Sequence, residues 1–287
     1  MKNILVTGAN GQLGNSVRKI ANQYPNYQFI FTDVPEVDIT DLEGLEKLVK
    51  EQNVDVIINC AAYTAVDKAE SDEILARKIN ADGPKNLAIA AKNIGAKLIH
   101  ISTDYVFDGK HCTPMKECDE TAPIGVYGKT KREGEIAIEK SGADAIVIRT
   151  AWLYSEYGNN FVKTMLRLGK EKDSLNVIYD QIGTPTYATD LAVAIMDLVE
   201  KGFNGYSLYH YSNEGGISWY DFTKAIFEIS GISTPINAIE SFEYPTAAER
   251  PHYSVLNKRK IKEMGIKVPY WKDSLKICME LLGEKVK

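Results

Sequence analysis

The stretch from Lys2 to Gly14 narrows what this chain can fold into more than any other. Residues 3–7 are a short apolar run that reads as a buried strand, Gly8-Ala9-Asn10-Gly11-Gln12-Leu13-Gly14 follows at once, and 11–23 reads as a helix. Gly8-x-x-Gly11-x-x-Gly14 is one residue longer than the usual dinucleotide fingerprint, and it has the strand before and the helix after that the fingerprint needs. Bare glycines allow the tight turn and a close approach of backbone to a pyrophosphate. Unpaired N–H groups at the start of the helix attract the anion.

The alternation continues. Residues 28–32 form a second strand ending at Asp33, 41–51 is a helix capped by Thr40 or Asp41, and 54–59 is a third, β-branched strand. Helical periodicity runs over 68–93, with Gly83-Pro84 marking a break or a new start. Strands are expected at 97–102 and 145–149, around a helix at 126–140. Apolar strands separated by helices predict an α/β fold, a Rossmann-like doubly wound parallel sheet with helices on both faces. Ligands of such sheets sit at the carboxyl ends of the strands. Gly8, Asp33, Asn59, Thr103 and Trp152 all lie there and are expected to line one crevice. Beyond 150 the pattern loosens into helices at 159–168, 190–200 and 219–229. The expected organisation is a dinucleotide-binding domain of 1–150 plus roughly 177–213, and a smaller C-terminal substrate lobe of roughly 151–176 and 214–287.

Composition excludes other classes. A length of 287 residues, 44% hydrophobic and 25% charged, is that of a soluble globular protein with a sizeable core. A net charge of -5 argues against a general nucleic-acid or anionic-membrane surface. The apolar run at the N-terminus is too short for a signal peptide and no stretch reaches the length of a membrane span, so a cytoplasmic location is expected. Cys60, Cys112, Cys118 and Cys278 are then expected as reduced thiols, although Cys112 and Cys118 share a polar loop and could pair. His100, His111, His210 and His252 lack zinc-ligand spacing, and no metal site is expected.

Several constellations carry chemistry. Asp33 can accept hydrogen bonds from an adenosine ribose and repels a 2′-phosphate, which favours NADH and leaves NADPH possible. Asp38 and Ile39 can flank the adenine, the carboxylate at its exocyclic amine and the side chain of Ile39 against its ring. The segment Asn59-Cys60-Ala61-Ala62-Tyr63-Thr64-Ala65-Val66-Asp67 places small residues after a strand, where backbone can come close to a ligand. Thr103, 24 residues before Tyr127, offers a hydroxyl that can hydrogen-bond a carbonyl oxygen. Tyr127 and Lys131 are four residues apart, one turn along one face of a helix. A free tyrosine titrates at about pH 10, and an adjacent ammonium is expected to lower that value and let the pair exchange protons near neutrality. These residues together describe an NAD(P)-dependent carbonyl/alcohol oxidoreductase.

Thr7-Gly8-x-x-Gly11-x-x-Gly14, Thr103 and Tyr127-x-x-x-Lys131 resemble the extended short-chain dehydrogenases/reductases. Within that superfamily, five further segments are similar to the dTDP-4-dehydrorhamnose reductase family: residues 59–70, Ser102-Thr103-Asp104-Tyr105-Val106-Phe107, Arg149-Thr150-Ala151-Trp152-Leu153-Tyr154, Gly158-Asn159-Asn160-Phe161 and Asp180-Gln181-x-Gly183-x-Pro185-Thr186. The likeness spans nearly the whole chain. It implies hydride transfer from reduced nicotinamide to C4 of dTDP-4-dehydro-L-rhamnose, giving dTDP-L-rhamnose for cell-surface polysaccharide. Tyr127 would protonate the alkoxide, Lys131 would hold the nicotinamide ribose and tune Tyr127, and Thr103 would polarise the carbonyl. By motif position, Gly11, Gln12 and Leu13 would cradle the pyrophosphate, and Ala62, Tyr63 and Thr64 would line the ribose–nicotinamide side. Asp104 and Trp152 would contact the sugar with Val66 across the ring, and Asn159, Asn160 and Arg250 would reach the diphosphate.

One position departs from the family pattern. Some bacterial members carry a glutamate two residues after the third glycine that helps bind Mg²⁺ at a dimer interface, and Ser16 stands there in this chain. A hydroxyl is a poor substitute for a carboxylate ligand, so a monomer and a homodimer both remain open. Two rival readings exist. A nucleotide-sugar epimerase or 4,6-dehydratase of the same superfamily is one, but dehydratases place Asp-Glu after the threonine, whereas Tyr105 follows Asp104 here. A non-catalytic NAD(P)-binding regulatory subunit is the other, against which Thr103, Tyr127 and Lys131 stand intact.

Overall fold

Strands and helices alternate through the first half of the chain: β1 (Lys2–Thr7), α1 (Gln12–Ile20), β2 (Tyr27–Phe31), α2 (Leu42–Glu51), β3 (Val54–Asn59), α3 (Val66–Ala69), α4 (Glu73–Arg77), α5 (Gly83–Ile94), β4 (Lys97–Thr103), α6 (Val126–Ser141) and β5 (Ala145–Thr150). They come from a computed structural model of the protein, which describes residues 1–284. The second half adds β6 (Leu153–Tyr154), α7 (Phe161–Glu171), β7 (Leu175–Ile178), β8 (Ile182–Gly183), β9 (Thr186–Tyr187), α8 (Ala188–Lys201), β10 (Tyr206–His210), β11 (Ile217–Ser218), α9 (Trp219–Ser230), β12 (Ile236–Ile239), α10 (Arg259–Glu263) and α11 (Trp271–Leu281).

Six strands form one sheet in the order β10-β5-β4-β3-β1-β2, and every pairing in it is parallel. Strand alternation sends successive side chains to opposite faces. Ile4, Val6, Val56, Ile58, Ile99, Ile146 and Ile148 meet α1 and α8 on one face. Leu5, Ile57, Leu98, Ala145 and Val147 meet α2, α5 and α6 on the other. Each fully buried Ile, Leu or Val contributes about 1.5–3 kcal/mol, so the doubly wound sheet is the main source of stability. Strand order reverses between β1 and β3, the switch point at which such sheets open a crevice.

The helical tract expected over 68–93 is three pieces, because Ser71-Asp72 interrupts it and a π turn over Lys78–Asp82 feeds α5, which starts at Gly83-Pro84. After β5, segment 188–210 returns to the sheet as α8 and β10. A second apolar cluster gathers Tyr154, Val162, Leu166, Tyr187, Phe222, Ile226, Trp271, Leu275 and Met279 from α7, α9, α11 and the short ladders. Those ladders pair β6 with β9, β7 with β12 and β8 with β11. Among the described residues, no helix is long and apolar enough to cross a membrane.

Candidate active site

A cavity of about 900 Å³ opens at the carboxyl ends of the central strands. The β1–α1 turn contributes Gly8, Gly11, Gln12 and Leu13; the chain after β2 contributes Asp33, Asp38 and Ile39; the chain after β3 contributes Ala62, Thr64 and Val66. Thr103 and Asp104 from the end of β4, Tyr127 and Lys131 from α6, and Trp152, Asn159 and Asn160 beyond β5 complete the wall with Trp219 of α9. Gly14, Asn59, Tyr63 and Arg250, also singled out in the sequence, are not part of the wall.

The glycine turn is built for close approach. Gly8 has φ of +64°, and a Cβ there would lie 2.6 Å from the Ala61 nitrogen. A Cβ on Gly14 would lie 2.5 Å from Ala9 Cα, so this glycine serves helix-to-turn packing. The N-terminus of α1 has no side-chain cap and no acidic residue in its first turn, which leaves its N–H groups to an anion. A dinucleotide pyrophosphate fits this donor set. Asp33 Oδ2 accepts the Asn10 N–H at 3.0 Å, so the carboxylate also braces the turn. Asp38 Oδ1 accepts the Thr40 N–H and hydroxyl, both at 2.8 Å, and these bonds hold its carboxyl below the usual range. Ile39 is buried against Gly83, where a Cβ would meet its side chain at 2.6 Å. Ser16 is fully buried and donates to the Gln12 carbonyl at 3.0 Å within α1.

Thr103, Asp104 and Lys131 are buried, at 4%, 2% and 2% exposure. Thr103 Oγ1 donates to Asp104 Oδ1 at 3.0 Å and accepts the Tyr105 N–H at 3.2 Å. Asp104 Oδ2 is buried without a well-formed hydrogen bond, and burial pushes this carboxyl up to about 6 against the Ser254 and Thr103 hydroxyls. Tyr127 differs from the expectation of a lowered value. Burial pushes it up to about 12, with the Thr103 hydroxyl pulling it part of the way back. The Lys131 ammonium donates to the Ile101 carbonyl at 2.6 Å, and burial lowers this lysine to about 8 against the opposing charge of Glu135.

Three groups of polar residues brace the wall; Gln12, Arg149 and Asn160 among them lie in motifs, whereas Asn80, Glu135 and Ser155 do not. Asn80, in the π turn, accepts the Tyr63 N–H at 2.9 Å and donates to its carbonyl at 3.1 Å, holding the Ala62–Thr64 backbone in place. The π geometry is a common device for aiming a residue at a site. Glu135 and Arg149 form a buried bidentate pair that ties α6 to β5, with Nε to Oε1 at 2.9 Å and Nη2 to Oε2 at 2.7 Å. Gln12 Oε1 accepts from Ser155 Oγ at 3.1 Å and from Asn160 Nδ2 at 3.0 Å, joining the glycine turn to the start of α7. Asn160 is also the cap of α7, accepting the Lys163 N–H at 3.2 Å.

Trp152 has φ of +48°, a strained conformation for a bulky residue that costs about 1–3 kcal/mol and persists only where surroundings impose it. Trp219 stacks on it with ring centroids 3.4 Å apart and planes within 9°. Gly183 lies behind it, where a Cβ would be 2.6 Å from the indole. The Arg250 guanidinium grips Asp67 at 2.6 and 2.5 Å, beside Tyr105 of the cavity wall.

A nucleotide fold, a glycine turn and a Thr–Tyr–Lys group on one wall describe a superfamily more than a family. A dTDP-4-dehydrorhamnose reductase from Aggregatibacter actinomycetemcomitans is 42% identical, over 96% of this chain and 98% of that one. The family model described as RmlD substrate binding domain matches residues 1–283. The chain belongs to the dTDP-4-dehydrorhamnose reductase family. A crystal structure of a family member from Clostridium acetobutylicum superposes with a TM-score of 0.93 at 46% identity, covering 98% of this chain and 99% of that one. The Bacillus anthracis dTDP-4-dehydrorhamnose reductase, solved in complex with NADP, superposes with a TM-score of 0.94 at 40% identity, covering 98% and 100%. Membership makes the chain an NAD(P)H-dependent oxidoreductase. In this member of the dTDP-4-dehydrorhamnose reductases, most of the cavity wall comes from the motifs, Trp219 completes it, and Asn80, Glu135 and Arg149 support it.

Proposed function

We propose that the protein reduces the C4 ketone of dTDP-4-dehydro-L-rhamnose to dTDP-L-rhamnose in the cytoplasm, with NADH as the better donor and NADPH also accepted. The observation that carries this reading is that Thr103, Tyr127 and Lys131 share one cavity with the glycine turn. The bound reduced nicotinamide supplies the hydride. Thr103 hydrogen-bonds the ketone oxygen, and Tyr127 gives that oxygen its proton as charge develops. A tyrosine held up at about 12 is fully protonated at neutral pH and is ready to donate. Lys131 lies one helical turn away, where it holds the cofactor ribose and stabilises the phenolate that remains. The stacked Trp152–Trp219 pair presents ring edges to the sugar, and Oδ2 of Asp104 accepts a sugar hydroxyl. In this reading the sheet domain holds the cofactor, and the lobe built on α7, α9 and α11 closes the substrate side. The protein with dTDP-4-dehydro-L-rhamnose should consume the absorbance of reduced nicotinamide in a sugar-dependent way. No consumption with either cofactor would overturn the proposal.

Cofactor choice has its own test. Asp33 and Glu36 share an adjoining cavity of about 400 Å³ with Arg18, whose guanidinium lies 4.6 Å from the Phe31 ring centre. Two carboxylates oppose a 2′-phosphate and one guanidinium attracts it. Asp33→Ala is expected to raise kcat/KM for NADPH relative to NADH by about 10-fold, and Arg18→Ala to lower that ratio. Unchanged ratios in both variants would remove these residues from cofactor selection.

The pH dependence follows from two groups. Asp104, at about 6, is charged above that pH and is then the stronger acceptor for a hydroxyl. Lys131, at about 8, loses its charge above that pH. A bell-shaped kcat/KM with limbs at those two values is expected, and a profile flat from about pH 5 to about pH 10 would contradict it.

A further inference from the structure

We infer that His100 is a positioning residue for Lys131, locked by Asn59 into the tautomer that presents an Nε2–H to the lysine and so favours its amine form. A backbone N–H can only donate, so the Ala61 N–H at 3.0 Å from Asn59 Oδ1 settles which end of the Asn59 amide is oxygen. Thr7 Oγ1, at 2.8 Å, meets the same oxygen. Asn59 Nδ2 is thereby turned toward His100 Nδ1 at 2.8 Å, and an amide NH₂ can only donate. Nδ1 must accept, which leaves the proton of the neutral ring on Nε2. Nε2 lies 3.4 Å from Lys131 Nζ.

His100 and Asn59 are 0% and 1% exposed, so solvent does not intervene. Against an ammonium, the Nε2–H is donor facing donor. Against an amine, it is a hydrogen bond to the lone pair, while Nζ still donates to the Ile101 carbonyl at 2.6 Å. The ring therefore acts in the same sense as burial, and burial also keeps the ring itself from taking a second proton. Glu135, one turn along α6, opposes this, but Arg149 of β5 binds both of its oxygens. The other titratable groups on the cavity wall are Tyr127 on α6, Asp104 and Tyr105 after β4, Cys60 after β3, Lys78 in the π turn, and Asp33 and Asp38 after β2. His100 is thus the polar group that meets Nζ from behind that wall. Its consequence for turnover rests on the proposed reductase reading, whereas its tautomer does not.

The two parts are tested separately. In the free wild-type protein, long-range ¹H–¹⁵N correlation should show His100 as the neutral Nε2–H form throughout about pH 6–9. An Nδ1–H ring, or one that titrates in that range, would overturn the inference whatever the activity. In kinetics, His100→Phe keeps a ring in the space and removes the Nε2–H. The basic limb of kcat/KM should then move up by about one pH unit. A limb that stays in place in a folded, active variant would also overturn it. Absence of reductase activity in the wild type would defeat the proposed function and leave the tautomer result standing.

Discussion

Tyr127→Phe is expected to lower kcat by about 10²–10⁴-fold, the range for loss of a positioned general acid. Affinity for the cofactor should change by no more than about 2-fold, because the substitution removes a proton donor and little binding surface. The Phe ring preserves the edge-on packing with Tyr105, whose ring centre lies 5.5 Å away at 78°. Steady-state kinetics read the first quantity and nicotinamide fluorescence titration the second. A variant within a few-fold of wild type would mean that another group delivers the proton. The alternative proton source on the same wall is Asp104, and activity of the variant would then fall as pH rises through about 6, the reverse of the acid limb expected for the wild type.

The second large effect concerns stability. Glu135→Ala should cost about 3–5 kcal/mol, because it leaves the buried Arg149 guanidinium without its counter-charge. Glu135 and Arg149 are 0% and 1% exposed. Arg132 adds a third hydrogen bond to Glu135 Oε2 at 3.0 Å, and the Phe107 ring centre lies 5.0 Å from the Arg149 guanidinium carbon. The ring beside Arg149 does not replace the carboxylate: His210 Nε2 is 3.4 Å from Nη1, and burial beside the cation holds that ring neutral, down at about 3. Glu135→Gln keeps an acceptor and should lose less. Urea unfolding measures both, and a loss below about 1 kcal/mol for the alanine variant would contradict a structural role for the pair. Activity should fall with stability, since the pair anchors the helix that carries Tyr127 and Lys131.

The sheet was legible because its strands are apolar runs with fully buried sides, and because the glycine turn identifies β1 and α1 together. β10 escaped notice for the converse reason. Tyr206-Ser207-Leu208-Tyr209-His210 alternates polar and apolar residues at the edge of the sheet, with the first three half-buried. The two-residue ladders of β6, β8, β9 and β11 carry no periodicity at all. Among site residues, those at the ends of strands were readable from position. His100, Asn80, Glu135 and Arg149 act through partners elsewhere along the chain, at a separation of 31 for His100 and Lys131 and 14 for Glu135 and Arg149. A polar residue inside an apolar strand was the one available signal, and His100 and Arg149 both show it. Trp219 sits at the first position of a well-capped helix and reads as core until Trp152 is seen stacked on it. The pairing of Arg250 with Asp67, 183 residues apart, carries no signal in the sequence.

The central claim is that this cavity delivers hydride to C4 of a nucleotide-linked keto sugar. Its most direct test is label transfer: reduced cofactor carrying deuterium at nicotinamide C4, on its transferable face, is turned over with dTDP-4-dehydro-L-rhamnose, and the sugar product is read by NMR. The expected product is dTDP-L-rhamnose with deuterium at sugar C4. Deuterium at any other carbon, or cofactor oxidation that leaves the sugar unlabelled with both isotopomers tested, would contradict the account.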